Sequence, residues 1–354
     1  MNLLLTMMMN TSEKSSVSNF SGLSRRELIA RTGLMAISAS WLSKALPGAV
    51  PEGFSNQFLS FRIQGRQDET NPQNPNIRIS LPQLPKPSNG FPLVFLFGGN
   101  GMGRVVRSEQ ADAMALALNR YGVATVVLNY PNLVDETVFR SSIIKPVRDL
   151  LEAVNSGDGL IDGQHFGFAG FSAGGLVATL LATRYSSELP ASPKAAVNYY
   201  GPVDLRYWFA FHQARFGNDE VPEELKGRRS GRDLGYSIGG RVECGELSRR
   251  LVGKVSENLG GLVPGRLEPF SHDWLWTGLK PRDERLQTPV MGVFGTKDDN
   301  CDPDFQSGLI RKMKAFTGVN HQSRIYEGSH GMGWEVCPEA MQWLVDSLNR
   351  PVLS

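Results

Sequence analysis

The sequence is poor in the residues that build metal centres and disulfide frameworks, and it has no long hydrophobic run. Only three of its 354 residues are cysteines and five are histidines. No Cys-x-x-Cys or His-x-x-x-His spacing occurs among them, so we expect no metal site. No uninterrupted apolar run approaches the roughly 20 residues of a membrane-spanning helix, so we expect no transmembrane segment.

Signatures of phosphate and nucleic-acid binding are also absent. The glycine-rich run at residues 98–103 is followed by Arg104, where a dinucleotide-binding fingerprint needs its last glycine, and no P-loop sequence occurs. The formal net charge is only +2 at pH 7. Residues 1–50 hold five basic and two acidic side chains, so the rest of the chain is close to neutral. Because no basic face is indicated, we expect no nucleic-acid partner.

Residues 1–50 have the composition of a leader that is separate from the folded domain. The pair Arg25-Arg26 precedes a mildly apolar, Ala- and Ser-rich stretch at residues 33–42, and small residues follow. This order is typical of a twin-arginine export signal; the alternative is a basic helix or a disordered tail. We expect the leader to direct export, to the periplasm of a bacterium, and residues 51–354 to form the folded domain.

Apolar strand patterns and amphipathic helix patterns alternate along the folded domain. The predicted strands are residues 58–63, 77–81, 91–97, 124–129, a run that ends at Gly170, 195–200, 289–294 and 322–326. The predicted helices are residues 108–120, 142–154, one that starts at Ala173, 305–316 and 338–348. The first two strands are expected to pair antiparallel. The alternation after them predicts an α/β fold, with a mostly parallel eight-stranded sheet and helices on both faces.

The segment Gly170-Phe171-Ser172-Ala173-Gly174 fits the pattern G-x-S-x-G. A buried strand precedes Ser172 and a helix follows it, so the serine is expected on a strand-to-helix turn. The flanking glycines avoid a clash between strand and helix, and the N–H of Ala173 is placed to stabilise an oxyanion. The pattern also occurs by chance, with the glycines serving close packing alone. The strand and helix around it favour Ser172 as a nucleophile.

A nucleophilic serine needs a base, and histidine titrates in the useful range. His165 and His321 precede or begin strands, which places both at the opposite edge of a parallel sheet. His212 and His272 lie in a long insertion. His330 follows the last strand, at the edge where active sites of open α/β sheets form, and is the expected base; the alternative is a surface loop histidine.

The acid that orients this histidine should follow the preceding strand, where four carboxylates crowd one loop. Asp298 is closest to the strand end and is the first choice, with Asp299 second. The order Ser172, Asp298, His330 is the one expected of an α/β-hydrolase. The loop after the third strand supplies a second oxyanion donor in this architecture, which points to the N–H of Gly99, with Asn100 as the alternative.

Three segments resemble the dienelactone hydrolase-like proteins of the α/β-hydrolase superfamily. They are residues 195–202, 291–303 and 326–331. The resemblance spans residues 78–348, with one interruption, and implies Ser172 as nucleophile, Asp298 as acid and His330 as base. The dienelactone hydrolases proper use a cysteine nucleophile, so this chain is more similar to the serine esterase branch. Phe97 also stands where many relatives have a histidine.

The interruption, residues 204–288, is far longer than a usual connection of a few residues. We expect a cap or lid over the catalytic edge whose aromatic side chains line an apolar acyl or aryl site. The alternative is that they form the small core of the cap itself. These side chains are Tyr207, Trp208, Phe209, Phe211, Phe216, Tyr236, Phe270, Trp274 and Trp276.

Two of the cysteines lie close to the expected acid and base in sequence. Cys301 comes three residues after Asp298, and Cys337 comes seven after His330. If the two loops meet in an oxidising compartment, a disulfide between them would join the acid loop to the base loop and leave Cys244 free. The alternative is two unrelated buried thiols.

Together these features predict an exported serine carboxylesterase. It would hydrolyse a small-molecule ester through an acyl-enzyme and would need no cofactor. The same triad serves acyltransferases, peptidases and thioesterases. A non-catalytic binding protein on the same scaffold is a further alternative.

Overall fold

The computed structural model describes residues 58–60, 77–106, 108–157, 159–214, 244–261, 266–272, 275 and 287–349. The predicted leader, residues 1–50, lies outside the described residues. Within the described ranges, no helix is both long enough and apolar enough to cross a membrane.

Strands and helices alternate along the described chain. The strands are β1 (Phe58–Ser60), β2 (Ile77–Ser80), β3 (Phe91–Phe97), β4 (Ala124–Leu128), β5 (Ile161–Phe171), β6 (Ala196–Tyr199), β7 (Val290–Gly295) and β8 (Gln322–Tyr326). The helices are α1 (Glu109–Arg120), α2 (Glu136–Phe139), α3 (Lys145–Asn155), α4 (Ala173–Ala182), α5 (Leu205–Ala214), α6 (Cys244–Asn258), α7 (Pro303–Thr317) and α8 (Pro338–Leu348). A π-helical turn, Arg140–Ile144, joins α2 to α3.

Local sequence signals explain where several helices begin and end. The Ser108 side chain accepts a hydrogen bond from the N–H of Ala111 and starts α1. Asp302 accepts from the N–H of Phe305 in the same way and starts α7. Helix α7 ends at Gly318, which has a left-handed φ of 74° that glycine adopts without strain. The cap at Asp302 thus ends the loop that follows β7 and carries Asp298.

The strands form one sheet in the order β1-β2-β4-β3-β5-β6-β7-β8. β2 pairs antiparallel with β1 and with β4, and all pairs from β4 to β8 are parallel. The predicted α/β class with a mostly parallel sheet is therefore confirmed. Because the carboxyl ends of parallel strands meet at one edge, the loops after β3, β5, β7 and β8 gather there.

Strand β5 begins earlier than its apolar run predicts. Ile161 pairs with Phe91 before a register shift brings Phe166 beside Leu93. The four residues between them are a glycine and three polar residues, so no apolar pattern marks this part of the strand.

Two hydrophobic layers cover the faces of the sheet. Alternate residues of β3 enter opposite layers, with Phe95 and Phe97 in the first and Val94 and Leu96 in the second. The first layer includes residues of α3, α4, α5 and α7, and the second includes residues of α1 and α8. Because helices cover both faces, the central strands are continuous apolar runs.

The predicted cap, residues 204–288, is described in part. It contributes α5, α6 and a 3₁₀ turn, Glu268–Phe270. Residues 215–243 and 276–286 lie outside the described residues. Helices α5 and α6 contact each other.

Candidate active site

Ser172 occupies the sharp turn between β5 and α4. Its φ of 53° and ψ of −125° lie in a region that residues with a Cβ rarely adopt. The turn is held because its N–H donates to the C=O of Tyr199 at 2.9 Å and its C=O accepts from the N–H of Gly175 at 2.8 Å. A Cβ on Gly170 would lie 1.9 Å from the Gly174 oxygen, so glycine is required where strand and helix meet.

The structure brings together the three side chains that the sequence names as nucleophile, base and acid. Ser172 Oγ lies 2.9 Å from His330 Nε2. His330 Nδ1 lies 3.0 Å from Asp298 Oδ2 and 3.1 Å from Oδ1. Since an ionised carboxylate can only accept, Nδ1 carries the proton and Nε2 accepts the hydroxyl proton of Ser172. This tautomer is the one that a general base requires.

The two adjacent aspartates of the acid loop differ in their surroundings. Asp298 is buried and Asp299 is exposed. Asp298 Oδ1 accepts from the N–H of Asn300 at 2.9 Å and from that of Cys301 at 2.8 Å. These bonds hold the carboxylate in one orientation toward His330, so the geometry favours Asp298 as its partner.

Helix α5 holds the acid loop from outside. Trp208 Nε1 donates to the C=O of Asn300 at 2.8 Å, and His212 Nε2 lies 2.9 Å from the same oxygen. Because a carbonyl only accepts, His212 carries its proton on Nε2. Neither contact is predicted from the sequence, although Trp208 belongs to the aromatic set of the insertion.

The loop after β3 lies directly against the serine turn. A Cβ on Gly99 would lie 2.2 Å from the Phe171 oxygen and 2.8 Å from Ala173 N, so a larger residue does not fit. The Tyr130 hydroxyl donates to the C=O of Gly98 at 2.5 Å and fixes the start of the loop. Neither the N–H of Gly99 nor that of Ala173 donates to another described residue. Both are therefore available to an oxygen bound at Ser172.

A second network, which the sequence did not predict, supports the loop of His330. Tyr200 Oη donates to Gln110 Oε1 at 2.5 Å, and Gln110 Nε2 donates to the C=O of Gly331 at 2.9 Å. The rings of Tyr200 and His330 meet edge to face, with 5.0 Å between centroids. Burial raises the pKa of Tyr200, so its hydroxyl stays a neutral donor. No local motif marks Gln110, which lies in α1.

A cavity of about 300 Å³ opens beside Ser172 and His330. Its apolar lining comes from Met102, Pro202, Leu205, Trp208, Leu251 and Val255. Leu205 and Trp208 belong to α5, and Leu251 and Val255 belong to α6, so the described part of the insertion forms one wall. An apolar cavity beside this serine and histidine can hold part of a small organic molecule.

The described aromatic residues of the insertion belong to the first hydrophobic layer on the sheet, rather than to a separate core of the cap, and one of them also lines the cavity. Trp208 lines the cavity. The first hydrophobic layer buries Tyr207, Phe209, Phe211 and Phe270, and the tilted rings of Phe211 and Phe305 lie 4.7 Å apart between centroids. The remaining members of the set lie outside the described residues: Phe216, Tyr236, Trp274 and Trp276.

Three other histidines make structural contacts. His165 Nδ1 lies 2.7 Å from Asp162, and His272 Nε2 lies 2.8 Å from Thr183 Oγ1. His321 is buried, and burial lowers its pKa to about 4. Among the described residues, no group of three or more His, Cys, Asp or Glu side chains is arranged to hold a metal ion.

Cys301 and Cys337 are free, buried thiols, so the structure does not contain the predicted disulfide. Cys301 packs in the first hydrophobic layer and Cys337 packs in the second. The two loops meet at the active site, but the cysteines lie on opposite faces of the sheet. Burial raises the pKa of both thiols, which keeps them protonated. The side chain of Cys244 lies outside the described residues.

Solved structures of other proteins share this architecture. A thermostable esterase from Pseudomonas putida ECU1011 is 14% identical with a TM-score of 0.52, over 94% of this chain and 90% of that one. A thermophilic esterase from Thermogutta terrifontis is 14% identical with a TM-score of 0.52, over 82% and 92%. Vibralactone cyclase is 15% identical with a TM-score of 0.54, over 96% and 93%.

These likenesses establish the fold. The chain has the α/β-hydrolase fold, as the sequence predicted. No protein-family model matches the sequence, and no curated protein matches it. The dienelactone hydrolase-like branch stays a prediction.

Proposed function

We propose that this α/β-hydrolase-fold protein is a serine hydrolase that cleaves a small-molecule carboxylic ester through an acyl-enzyme. One observation carries the proposal: a hydrogen-bonded chain runs from Ser172 through His330 to the buried Asp298, beside a cavity. The esterases named above share the fold with this chain, and the choice of reaction rests on the site itself.

In the proposed reaction, Ser172 Oγ attacks the ester carbonyl while His330 Nε2 accepts its proton. The imidazolium that forms is stabilised by Asp298, which receives the Nδ1 proton in a hydrogen bond and remains ionised. His330 then gives the proton to the leaving alcohol. Water, activated by the same nitrogen, hydrolyses the acyl-enzyme and restores Ser172.

The negative charge that develops on the carbonyl oxygen needs donors that are already in place. The N–H groups of Gly99 and Ala173 are the proposed pair, and Ala173 also begins helix α4, whose N-terminus favours negative charge. Each such donor is worth about 3 kcal/mol of transition-state stabilisation. The protein's own groups supply the charge stabilisation that the reaction needs, and no cofactor is part of the proposal.

One observation favours hydrolysis over transfer to a second alcohol. The His330 side chain is 26% exposed and lines the cavity, so water can enter the site beside the imidazole that must activate it. Hydrolysis of p-nitrophenyl acetate in the presence of an added alcohol separates the two reactions. An excess of transesterified product over free acid would favour a transferase with the same triad.

Labelling of the purified full chain with a fluorophosphonate tests the proposed function. We expect stoichiometric modification that peptide mapping assigns to Ser172, and none in Ser172→Ala. Hydrolysis of short p-nitrophenyl esters should disappear in the same variant. A folded chain that is neither labelled nor active would favour the binding-protein alternative.

We also propose that residues 1–50 direct export. The Arg25-Arg26 pair and the apolar stretch after it support this. In a bacterial host, changing both arginines to lysine should retain the chain in the cytoplasm, whereas the unchanged chain reaches the periplasm. Equal distribution of the two forms between cell fractions would refute the export signal.

A further inference from the structure

Helix α6 contacts the loop after β3, residues 98–103, through two polar side chains. Asn258 Nδ2 donates to the C=O of Gly101 at 2.8 Å and to that of Asn100 at 3.3 Å. Lys254 Nζ, one helical turn earlier, donates to Asn100 Oδ1 at 3.1 Å. The cap helix therefore binds both the backbone and a side chain of the loop that carries Gly99.

The contact with Asn258 is close. A Cβ on Gly103 would lie 2.8 Å from Asn258 Nδ2, and one on Gly101 would lie 3.5 Å from Val255 Cγ2. The loop backbone is thus packed directly on the last turn of α6. A small displacement of the helix end must move the loop as well.

The loop has a conformation that needs such support. Gly101 and Met102 both have positive φ, 54° and 66°, and a residue with a Cβ such as Met102 rarely adopts this conformation. The hydrogen bond from Tyr130 fixes the loop at Gly98, before the oxyanion donor. The bonds from Asn258 hold it just after that donor.

We infer that Asn258 is a positioning residue for the oxyanion site. Its side-chain amide binds the carbonyl oxygens of Asn100 and Gly101, the two residues after Gly99, and so helps to orient the N–H of Gly99 toward an oxyanion at Ser172. The inference rests on the proposed function, because this orientation affects turnover only if an oxyanion forms there. Helix α6 also lines the cavity through Leu251 and Val255. The same helix would therefore contact the substrate and support the loop that carries the oxyanion donor.

Two substitutions and one matched control test this role. Asn258→Ala removes the amide, and Asn258→Asp keeps its shape but places a carboxylate against two carbonyl oxygens. Glu257→Gln changes the exposed neighbouring residue of the same helix and serves as the control. In p-nitrophenyl acetate hydrolysis by the full chain, we expect kcat to fall about 10- to 100-fold in both Asn258 variants, with KM within about twofold. The control should stay within about twofold of the unchanged chain.

An inhibitor separates positioning from a general structural effect. A trifluoromethyl ketone forms an anionic tetrahedral adduct with a nucleophilic serine, so its affinity should fall by the same factor as kcat. Hydrogen exchange of the peptide that contains residues 99–103 should become faster in Asn258→Ala, whether or not turnover is measured. Circular dichroism and the melting temperature verify that each variant is folded.

The outcomes distinguish this inference from the proposed function. An active wild-type chain whose Asn258 variants keep their kcat would overturn the positioning role alone, as would a loss of kcat with undiminished inhibitor affinity or unchanged hydrogen exchange. A wild-type chain that is not labelled at Ser172 and hydrolyses no ester would overturn the proposed function, and the positioning role with it.

Discussion

Single residues of the acid loop have roles that depend on burial rather than on chemical type. Asp298 and Asp299 are adjacent and chemically identical, yet only Asp298 is buried with its carboxylate against the His330 ring. Two backbone N–H groups complete its hydrogen bonds. From the sequence, Asp298 was preferred only because it lies closer to the end of the strand. Two adjacent aspartates give no indication of which side chain is buried.

Asp298→Asn should lower kcat for ester hydrolysis by about 10³- to 10⁴-fold, while the protein stays folded. An amide can present its N–H to His330 Nδ1 and so favour the tautomer that cannot accept the Ser172 proton. Asp299→Asn is the matched control and should change kcat by less than about twofold. Steady-state kinetics with a p-nitrophenyl ester measure kcat for both variants. A larger loss at Asp299 would reverse the assignment of the acid.

At the scale of elements, the approach of α4 to the sheet depends on the absence of side chains. A Cβ on Gly174 would lie 2.3 Å from the Phe97 oxygen and 2.4 Å from the Gly98 oxygen, which are both backbone atoms. Neither β3 nor α4 can shift to make room for a Cβ at position 174 without moving Ser172. By contrast, a Cβ on Gly253, in the interior of α6, meets nothing within 4 Å.

Alanine at these two positions should change the free energy of unfolding in opposite directions. Gly174→Ala should lower the free energy of unfolding by about 3 kcal/mol, because the overlap forces α4 away from β3. Gly253→Ala should raise it by about 0.5 to 1 kcal/mol, since alanine loses less backbone entropy in a helix. Urea denaturation of both variants measures the difference. Stabilisation by Gly174→Ala would show that the close contact does not constrain the fold.

At the scale of the whole molecule, the parts that the sequence predicted are those with a local signature. Apolar runs marked the buried strands, and Ser172, Asp298 and His330 follow from chain order once the sheet is assumed. Contacts between distant segments had no such signature. Tyr200 and Gln110 are 90 residues apart, and no sequence motif links them.

The predicted disulfide is wrong for the same reason. Spacing along the chain placed Cys301 and Cys337 in loops that meet, and the loops do meet through Asp298 and His330. Which face of the sheet each cysteine enters depends on the helix that follows it. Helix α7 packs on one face and α8 on the other, so proximity of the loops did not bring the thiols together.

The stability of the whole domain should depend on pH through His321, which precedes β8. Its Nδ1 accepts from the N–H of Val290 at 3.1 Å, and its Nε2 lies 3.1 Å from Thr317 Oγ1. Burial, with smaller contributions from His272 and Lys314, lowers its pKa from 6.5 to about 4. The neutral ring therefore joins the amino end of β7 to the segment before β8.

In the unfolded chain this histidine titrates near its usual value, so between pH 6.5 and about 4 the unfolded state binds more protons than the folded one. The contribution of neutral His321 to the free energy of unfolding is complete above pH 6.5 and is lost as the pH falls to about 4. The change is about 3 kcal/mol. His321→Asn keeps an acceptor and a donor but does not titrate. Urea unfolding at two pH values, about 7 and about 4.5, should show a drop in stability that is smaller by about 2 kcal/mol in the variant. Identical drops in both proteins would mean that His321 takes up its proton as readily in the folded domain as in the unfolded chain.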